Sequence, residues 1–388
     1  ISRWTFLSIL FWMGFLMKNR VLKTIIFSLM IILSGCYSSI AIKEFNPDPV
    51  GSRQEPEYDS LQVVETMETY GSLIPGGLSI QGGYLFAGDY SGRVYAFDIK
   101  DFEEVGYASI RNTSIVSPPQ FAGDKLYYLY RKKLLPELHL VKYNLRSGKE
   151  EMDIEAGVAG DATLHQFESE IIVIAGNEIF FYDTLLIEQK RVTLDEELSC
   201  VTNQIDGKIY LGSYSGKVQT VDIKEKTIKK VIPEFSEPVL SITKIGDNFI
   251  VSLESGQLIY VGESGHKFWE HETGKTVATP LIAGGYLYVG TLAGTVFKIS
   301  IKTGEIKAKF DTGRLINLPL SVSGDKLFIP VIDGRLILLN ASKLEPIQTV
   351  SFDGRIRTGA VSNGDLIFIG YDNGKIAILK AIPTQVGD

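Results

Sequence analysis

Cysteine and histidine are scarce in this chain of 388 residues, which holds two cysteines and four histidines. Cys36 and Cys200 are too few for a disulfide framework. The histidines, at positions 139, 165, 266 and 271, lack the spacing to Cys or acidic residues that zinc ligands show. We interpret them as solvated strand residues and expect no metal site or cofactor. Cys200 is expected to be a buried, apolar-like residue at the start of an inner strand, with a reactive thiol as the alternative.

Acidic residues are missing from the first 35 positions, which contain Arg3, Lys18, Arg20 and Lys23. Without that segment the chain has 35 basic and 46 acidic side chains. A surface this acidic repels phosphate backbones, so nucleic acid is excluded as an expected partner.

The apolar run at residues 24–33 is ten residues long, too short to span a bilayer, and it follows basic residues as in a signal peptide. The next stretch, Leu-Ser-Gly-Cys at 33–36, resembles the lipobox of bacterial lipoproteins. That resemblance implies lipid attached to Cys36, with an ordinary signal peptide and an incidental cysteine as the alternative. Tyr37 stands where such lipoproteins often carry an Asp for inner-membrane retention, which favours the outer membrane.

The sequence predicts three regions. Residues 1–35 are a signal segment, in which 1–16 are interpreted as lying upstream of a true start at Met17; a short second membrane segment is the alternative. Residues 36–60 are predicted to be the lipidated cysteine and a flexible tether, because they contain three prolines and no apolar periodicity. Residues 61–382 are predicted to form the folded body.

The predicted folded body contains a sequence repeat. The stretch YLFAGDYSGRVYAFD at 84–98 has related copies at 208–222, 286–300 and 366–380. Weaker copies lie at 125–144, stretched by an insertion at 131–137, and at 170–183. The repeated turn glycines are Gly92, Gly216, Gly256, Gly294, Gly334 and Gly374. A period of roughly 40 residues with several short strands per copy indicates propeller blades.

The repeats predict an all-β, eight-bladed β-propeller with four-stranded antiparallel blades. Middle strands such as RLILLN (335–340) are apolar at nearly every position, as expected for strands buried on both faces. Outer strands are expected near 102–110, 148–156, 187–195, 227–235, 265–273, 304–312 and 344–352. The last copy lacks its own, so we expect the N-terminal strand 61–70 to complete it and close the ring.

Residues 266–306 resemble the PQQ-like repeat through Trp269, Thr273-Gly274, Pro280, Tyr288-Val289-Gly290 and Thr303-Gly304-Glu305. Eight such repeats behind a lipobox resemble the BamB-like family of outer-membrane assembly lipoproteins. The resemblance implies a non-enzymatic, monomeric scaffold on the periplasmic face of the outer membrane. The implied partners are the periplasmic domains of the barrel-inserting protein and unfolded outer-membrane proteins.

The resemblance also implies where a partner binds, namely on interblade loops near the middle of the chain. The corresponding residues here are Asp195, Glu196, Glu197, Leu198, Glu234, Phe235, Ser236 and Glu237. Two alternatives remain open: a quinoprotein-type enzyme holding a quinone and calcium in its channel, and a surface lipoprotein that binds glycan or a host ligand. The acidic runs at 101–104 and 195–197 lack the ligand spacing of a dedicated calcium loop.

Overall fold

The computed structural model describes residues 39–47, 58–158 and 161–383. Its contacts group the described residues from Ile40 onward into one compact unit. The predicted signal segment and Cys36 lie outside the described residues. In the part that is described, no helix has the length and apolar character needed to cross a bilayer.

Eight antiparallel sheets follow one another along the chain, as the repeats predict. Strand β1 (Tyr58–Glu68) precedes them and belongs to the last sheet. The strands of blades 1 and 2 are β2 (Leu73–Gln81), β3 (Tyr84–Asp89), β4 (Arg93–Asp98), β5 (Glu104–Ser109), β6 (Thr113–Ile115), β7 (Gln120–Ala122), β8 (Lys125–Lys132), β9 (Glu137–Asn144) and β10 (Lys149–Val158). Those of blades 3 and 4 are β11 (Ala162–Phe167), β12 (Glu170–Ala175), β13 (Glu178–Asp183), β14 (Glu188–Thr193), β15 (Leu198–Val201), β16 (Lys208–Ser213), β17 (Val218–Asp222) and β18 (Thr227–Lys230).

The second half of the chain repeats the pattern with more regular spacing. Blades 5 and 6 consist of β19 (Val239–Ile245), β20 (Asn248–Leu253), β21 (Gln257–Gly262), β22 (Lys267–Glu272), β23 (Leu281–Ala283), β24 (Tyr286–Gly290), β25 (Thr295–Ser300) and β26 (Ile306–Asp311). Blades 7 and 8 consist of β27 (Ser321–Ser323), β28 (Lys326–Pro330), β29 (Arg335–Asn340), β30 (Pro346–Ser351), β31 (Val361–Asn363), β32 (Leu366–Tyr371) and β33 (Lys375–Pro383), joined by β1. A 3₁₀ turn lies at Asp372–Gly374.

Each blade is built from buried middle strands and an exposed fourth strand. In blade 3, for example, β12 and β13 are buried at almost every position, whereas β14 is mostly exposed. The buried apolar residues form eight clusters, and each cluster joins two neighbouring blades. The core therefore lies between the sheets, which is why the middle strands are apolar on both faces.

The ring closes through β1, which pairs antiparallel with β33 from Tyr58↔Pro383 to Glu68↔Lys375. Tyr58 and Leu61 pack into the cluster between blades 7 and 8, and Met67 packs into the cluster between blades 8 and 1. The predicted closure by an N-terminal strand is thus confirmed, with the strand beginning three residues earlier than expected.

Antiparallel order places the connections on two opposite faces of the ring. The interblade face carries the connections between blades and the turns between second and third strands, such as residues 195–197 and 214–217. The opposite face carries the turns between first and second strands and between third and fourth strands, such as residues 82–83 and 99–103. It is called the strap face here, after the segment 40–47 that lies on it.

Residues 40–47, here called the strap, pack against blades 1 and 2 on the strap face. Ile40, Ile42 and Phe45 are buried in the cluster that joins these two blades. The amide of Ile42 donates to the carbonyl of Leu145 at 2.8 Å, and Gln81 Nε2 donates to the carbonyl of Pro47 at 2.6 Å. The expected flexible tether over 36–60 is wrong for these residues, because their alternating apolar side chains find a groove between two blades.

We expect Leu61→Ala to destabilise the protein by about 2–5 kcal/mol, because Leu61 is 4 % exposed and its removal leaves a cavity where the ring closes. The matched control is Val63→Ala on the same strand, which is 42 % exposed and should cost at most about 1 kcal/mol. Urea unfolding followed by fluorescence measures both. Equal losses would mean that β1 does not anchor the ring.

Gly82→Ala should loosen the strap. At Gly82 the backbone has φ +59°, and a Cβ there would lie 2.4 Å from the carbonyl oxygen of Asn46. The control is Gly83→Ala, which has φ +86° but no neighbour within 4 Å of the added Cβ and therefore reports backbone strain alone. Limited proteolysis should cut the strap faster in Gly82→Ala than in Gly83→Ala, and identical cutting would contradict the packing described for Asn46.

Candidate functional site

The two loops predicted to bind a partner converge on one turn of the interblade face. Residues 195–197 connect blades 3 and 4, and residues 231–238 connect blades 4 and 5. Between them lies the turn at 214–217 that joins β16 to β17. The amide of Tyr214 donates to the carbonyl of Glu197 at 3.2 Å, and the amide of Phe235 donates to the carbonyl of Gly216 at 3.0 Å. The structure thus brings together the two stretches that the sequence analysis selected, and it places Leu198 at the start of β15 rather than in the loop.

Glu196 ties the first loop to this turn. Its carboxylate contacts Lys217 Nζ at 2.9 Å and accepts a hydrogen bond from Ser215 Oγ. Partial burial acts to raise the pKa of Glu196, but the hydrogen bonds from Ser215 and Lys217 outweigh it, so that the pKa lies below its ordinary value. Glu196 therefore stays ionised at neutral pH and holds the turn in place.

Glu237 fixes the second loop to the next blade, since its carboxylate accepts a hydrogen bond from the amide of Ser255 at 2.6 Å. The remaining predicted residues project outward: Asp195, Glu197, Glu234 and Ser236 are exposed, and Phe235 is half-buried. Three of these carry negative charge, so the outer surface of the two loops is acidic. We call these loops and the 214–217 turn the loop platform.

Tyr214 is the aromatic residue that the sequence analysis missed. It lies at the centre of the loop platform and is 58 % exposed. The signal was present, because residues 212–216 repeat the turn at 88–92, in which Tyr90 holds the same place and is 41 % exposed. An exposed tyrosine within a rigid turn is the kind of residue that contributes most to protein interfaces.

A cavity of about 320 Å³ opens beside the loop platform at the mouth of the central channel. Tyr214 and the first-strand residues 198–201 form one wall, while Tyr90, Arg131 and Asp161 lie among the lining residues from blades 1 to 3. The lining mixes polar and apolar groups. The platform therefore borders a concave surface rather than a flat one.

Cys200 lies in the inner strand β15, as expected, but the residue is half-buried and lines this cavity rather than being fully buried. Burial raises the pKa of its thiol to about 12, despite hydrogen bonds from Gly212 and Ser199 that act in the opposite direction. The thiol is therefore protonated at neutral pH. This supports the expected apolar-like role over the reactive thiol.

The histidines differ from the expected solvated strand residues. His165 is 6 % exposed, and burial lowers its pKa to about 4, so it is neutral at physiological pH. His139 stacks on Tyr130 at a centroid distance of 4.8 Å and contacts Asp153 at 2.9 Å. The prediction failed for these two because neighbouring strands cover them. Across the described residues, no group of three or more His, Cys, Asp or Glu is placed to hold a metal ion.

Comparison with known proteins supports the fold. A sequence profile described as outer membrane protein assembly factor BamB matches residues 233–381, which run from within the second platform loop through blades 5 to 7 and the C-terminal strands of blade 8. The crystal structure of BamB from Moraxella catarrhalis superposes with a TM-score of 0.67 at 13 % identity, covering 85 % of this chain and 99 % of that one. The computationally designed Ika8 protein superposes with a TM-score of 0.66 at 13 % identity, covering 86 % of this chain and 100 % of that one. No curated protein matches the sequence.

The chain is a closed eight-bladed β-propeller. More narrowly, it is a BamB-like PQQ-repeat propeller. At 13 % identity the superposition shows the fold alone, so function has to be argued from the surface.

The reactivity of the Cys200 thiol tests whether it is protonated in the folded protein. The measurement uses a Cys36→Ser variant, in which Cys200 is the remaining cysteine. At pH 8 a thiol with a pKa of about 12 is ionised at a level on the order of one part in ten thousand. The folded protein should react with a disulfide reagent at least about a hundredfold more slowly than the same protein in denaturant. Comparable rates in the two states would restore the reactive-thiol alternative.

Proposed function

We propose that this protein is a non-enzymatic, lipid-anchored scaffold on the periplasmic side of the outer membrane, where it takes part in outer-membrane protein assembly. The loop platform is its partner-binding surface. The observation that carries the proposal is the platform itself: two loops held rigidly around an exposed tyrosine, on a propeller similar to one named for this assembly process.

The chemistry of the platform indicates the kind of partner. Tyr214 offers an apolar anchor, and the two adjoining loops carry the exposed carboxylates of Asp195, Glu197 and Glu234, of which Glu234 pairs with Lys230 at 3.6 Å. A complementary surface carries basic groups around an apolar pocket, because charge complementarity steers association and fixes register. A folded periplasmic domain of a barrel-inserting protein with such a patch is the partner we propose, with unfolded outer-membrane proteins as the clients of the complex.

The platform already has the rigidity that binding requires. Backbone hydrogen bonds from Tyr214 and Phe235, together with the Glu196–Lys217 ion pair, fix its three segments before any partner arrives. A preformed surface loses little conformational entropy on association, so its contacts contribute more fully to affinity.

The test is a mild-detergent pull-down of the lipidated protein from the envelope of its native cell, with bound proteins identified by mass spectrometry. Tyr214→Ala should reduce recovery of barrel-assembly proteins about tenfold or more, since loss of a central interface aromatic costs on the order of 2 kcal/mol. Phe268→Ala is the matched control, because Phe268 is a 49 % exposed aromatic at the strap-face end of blade 5. Recovery of no assembly protein, or equal losses in both variants, would contradict the proposal.

The proposed anchor has its own test. Cys36→Ser removes the thiol that would accept lipid, so the protein should move from the membrane fraction to the soluble periplasmic fraction. Metabolic labelling with a fatty-acid analogue should mark the wild-type chain and leave Cys36→Ser unlabelled. A variant that remains in the membrane fraction would show that another feature holds the protein there.

A further inference from the structure

The junctions between blades reveal what the strap does. At several of them, a pair of facing residues on the third and fourth strands sends one side chain to a carbonyl of the next blade. In blade 5 the pair is Tyr260 and Trp269, and Trp269 Nε1 donates to the carbonyl of Ile301 at 3.0 Å. Ile301 is the first residue after β25, in blade 6.

Other blades make a similar link with different chemistry. In blade 2 the pair is Lys142 and Met152, and Lys142 Nζ donates to the carbonyl of Thr184, the first residue after β13. In blade 6, Lys298 facing Ala308 donates to the carbonyl of Ser342, the second residue after β29 in blade 7. In blade 7, Gln348 facing Leu338 donates to the carbonyl of Leu61 on β1, the fourth strand of blade 8. A side-chain donor from this pair is thus a recurrent link between neighbouring blades.

Blade 1 has no such donor. The corresponding pair is Ala96 and Gly106, and neither side chain can donate a hydrogen bond. The carbonyl that would be reached is that of Leu145, the first residue after β9, and it accepts from the amide of Ile42 in the strap at 2.8 Å. Ile42 thus supplies the donor that Trp269 supplies in blade 5, and Ile40 and Phe45 are buried in the same cluster as Ala96.

The strap is therefore an integral part of the propeller, and this bears on the anchor. Cys36 precedes Ser39 by three residues, which span at most about 10 Å whatever their conformation. A lipid on Cys36 would keep the strap, and the ends of blades 1 and 2 to which it is bound, next to the bilayer surface.

We propose that the strap fixes the orientation of the propeller, with the strap face against the lipid surface and the loop platform turned toward the periplasm. This inference rests on the lipid anchor of the proposed function and goes beyond it. The strap face also carries two exposed aliphatic residues on the adjacent blade 3, Leu185 and Ile187, which are 58 % and 55 % exposed. The interblade face carries Leu134 and Leu135, which are 90 % and 49 % exposed, so the strap rather than the exposed aliphatic side chains decides which face meets the bilayer.

Fluorescence energy transfer to headgroup-labelled lipid tests the orientation in vesicles of phosphatidylethanolamine and phosphatidylglycerol. The lipidated full chain carries Cys200→Ser and one dye, attached either at Lys100→Cys on the strap face or at Leu134→Cys on the interblade face. Both positions are exposed turn residues. Transfer from position 100 should be at least about twice that from position 134. Equal transfer from the two positions, or stronger transfer from 134, would overturn the proposal.

Two further variants separate the strap from the anchor. A flexible insert of twenty Gly and Ser residues before Ser39 adds roughly 25 Å of reach without altering the strap. The ratio of energy transfer from position 100 to energy transfer from position 134 should therefore fall toward one. Ile40→Ser with Phe45→Ser should have the same effect, whereas Lys43→Ser with Glu44→Ser, on exposed neighbours, should leave the ratio unchanged. An unchanged ratio with the insert would overturn the proposal.

Failure of the anchor gives a different result, because a chain without lipid does not float with the vesicles at all. That outcome also overturns the inference, and it would appear equally in the fatty-acid labelling of Cys36. None of these readings depends on the partner pull-down, which tests the loop platform on the opposite face.

Discussion

Hydrogen bonds between β1 and β33 hold the two ends of the folded body together, over nine paired positions. Pairing residues so distant in sequence closes a loop of about 310 residues, an entropy cost on the order of 5 kcal/mol. Burial of Tyr58, Leu61 and Met67 offsets it, at about 2 kcal/mol for each side chain. Because the two terms are similar in size, closure depends on a few apolar contacts, and without them blade 8 would expose an open edge.

A closed ring explains why both proposed surfaces can be rigid. Every blade is packed between two neighbours, so the loops on the interblade face start from fixed strand ends. Glu196, Glu237 and the amide of Phe235 then need to fix only a few residues each to position Tyr214. On the other face the same rigidity provides the groove in which the strap lies. The ring thus keeps the proposed partner surface and the proposed lipid-facing surface on opposite sides.

The architecture could be predicted from the sequence because it is encoded locally and then repeated. Turn glycines at a period near forty, buried runs such as 335–340 and a missing last outer strand together specify eight blades and the closing role of β1. The strap could not be predicted in this way. Ile40 and Ile42 form too short a pattern to stand out, and the residues of blades 1 and 2 that bury them, such as Phe86 and Leu145, lie more than forty positions later in the chain.

The candidate site, like the fold, could be predicted from the sequence only in part. The two loops were located correctly relative to the blades, because blade order follows from the repeat. Tyr214 was missed although its turn repeats that of Tyr90, since the exposure of each tyrosine depends on the loops that flank it. His165 was misjudged for a similar reason: its strand is recognisable in sequence, but its burial depends on how neighbouring strands pack against that strand.

Closure can be measured directly by an engineered disulfide between Gln62→Cys and Lys380→Cys, which are facing positions on β1 and β33. In a background lacking Cys36 and Cys200, the account predicts that the oxidised pair forms readily and raises the unfolding temperature. The offset pair Gln62→Cys and Ile382→Cys should form poorly and should not stabilise the fold. Failure of the facing pair, or preference for the offset pair, would show that β1 does not close the ring in this register.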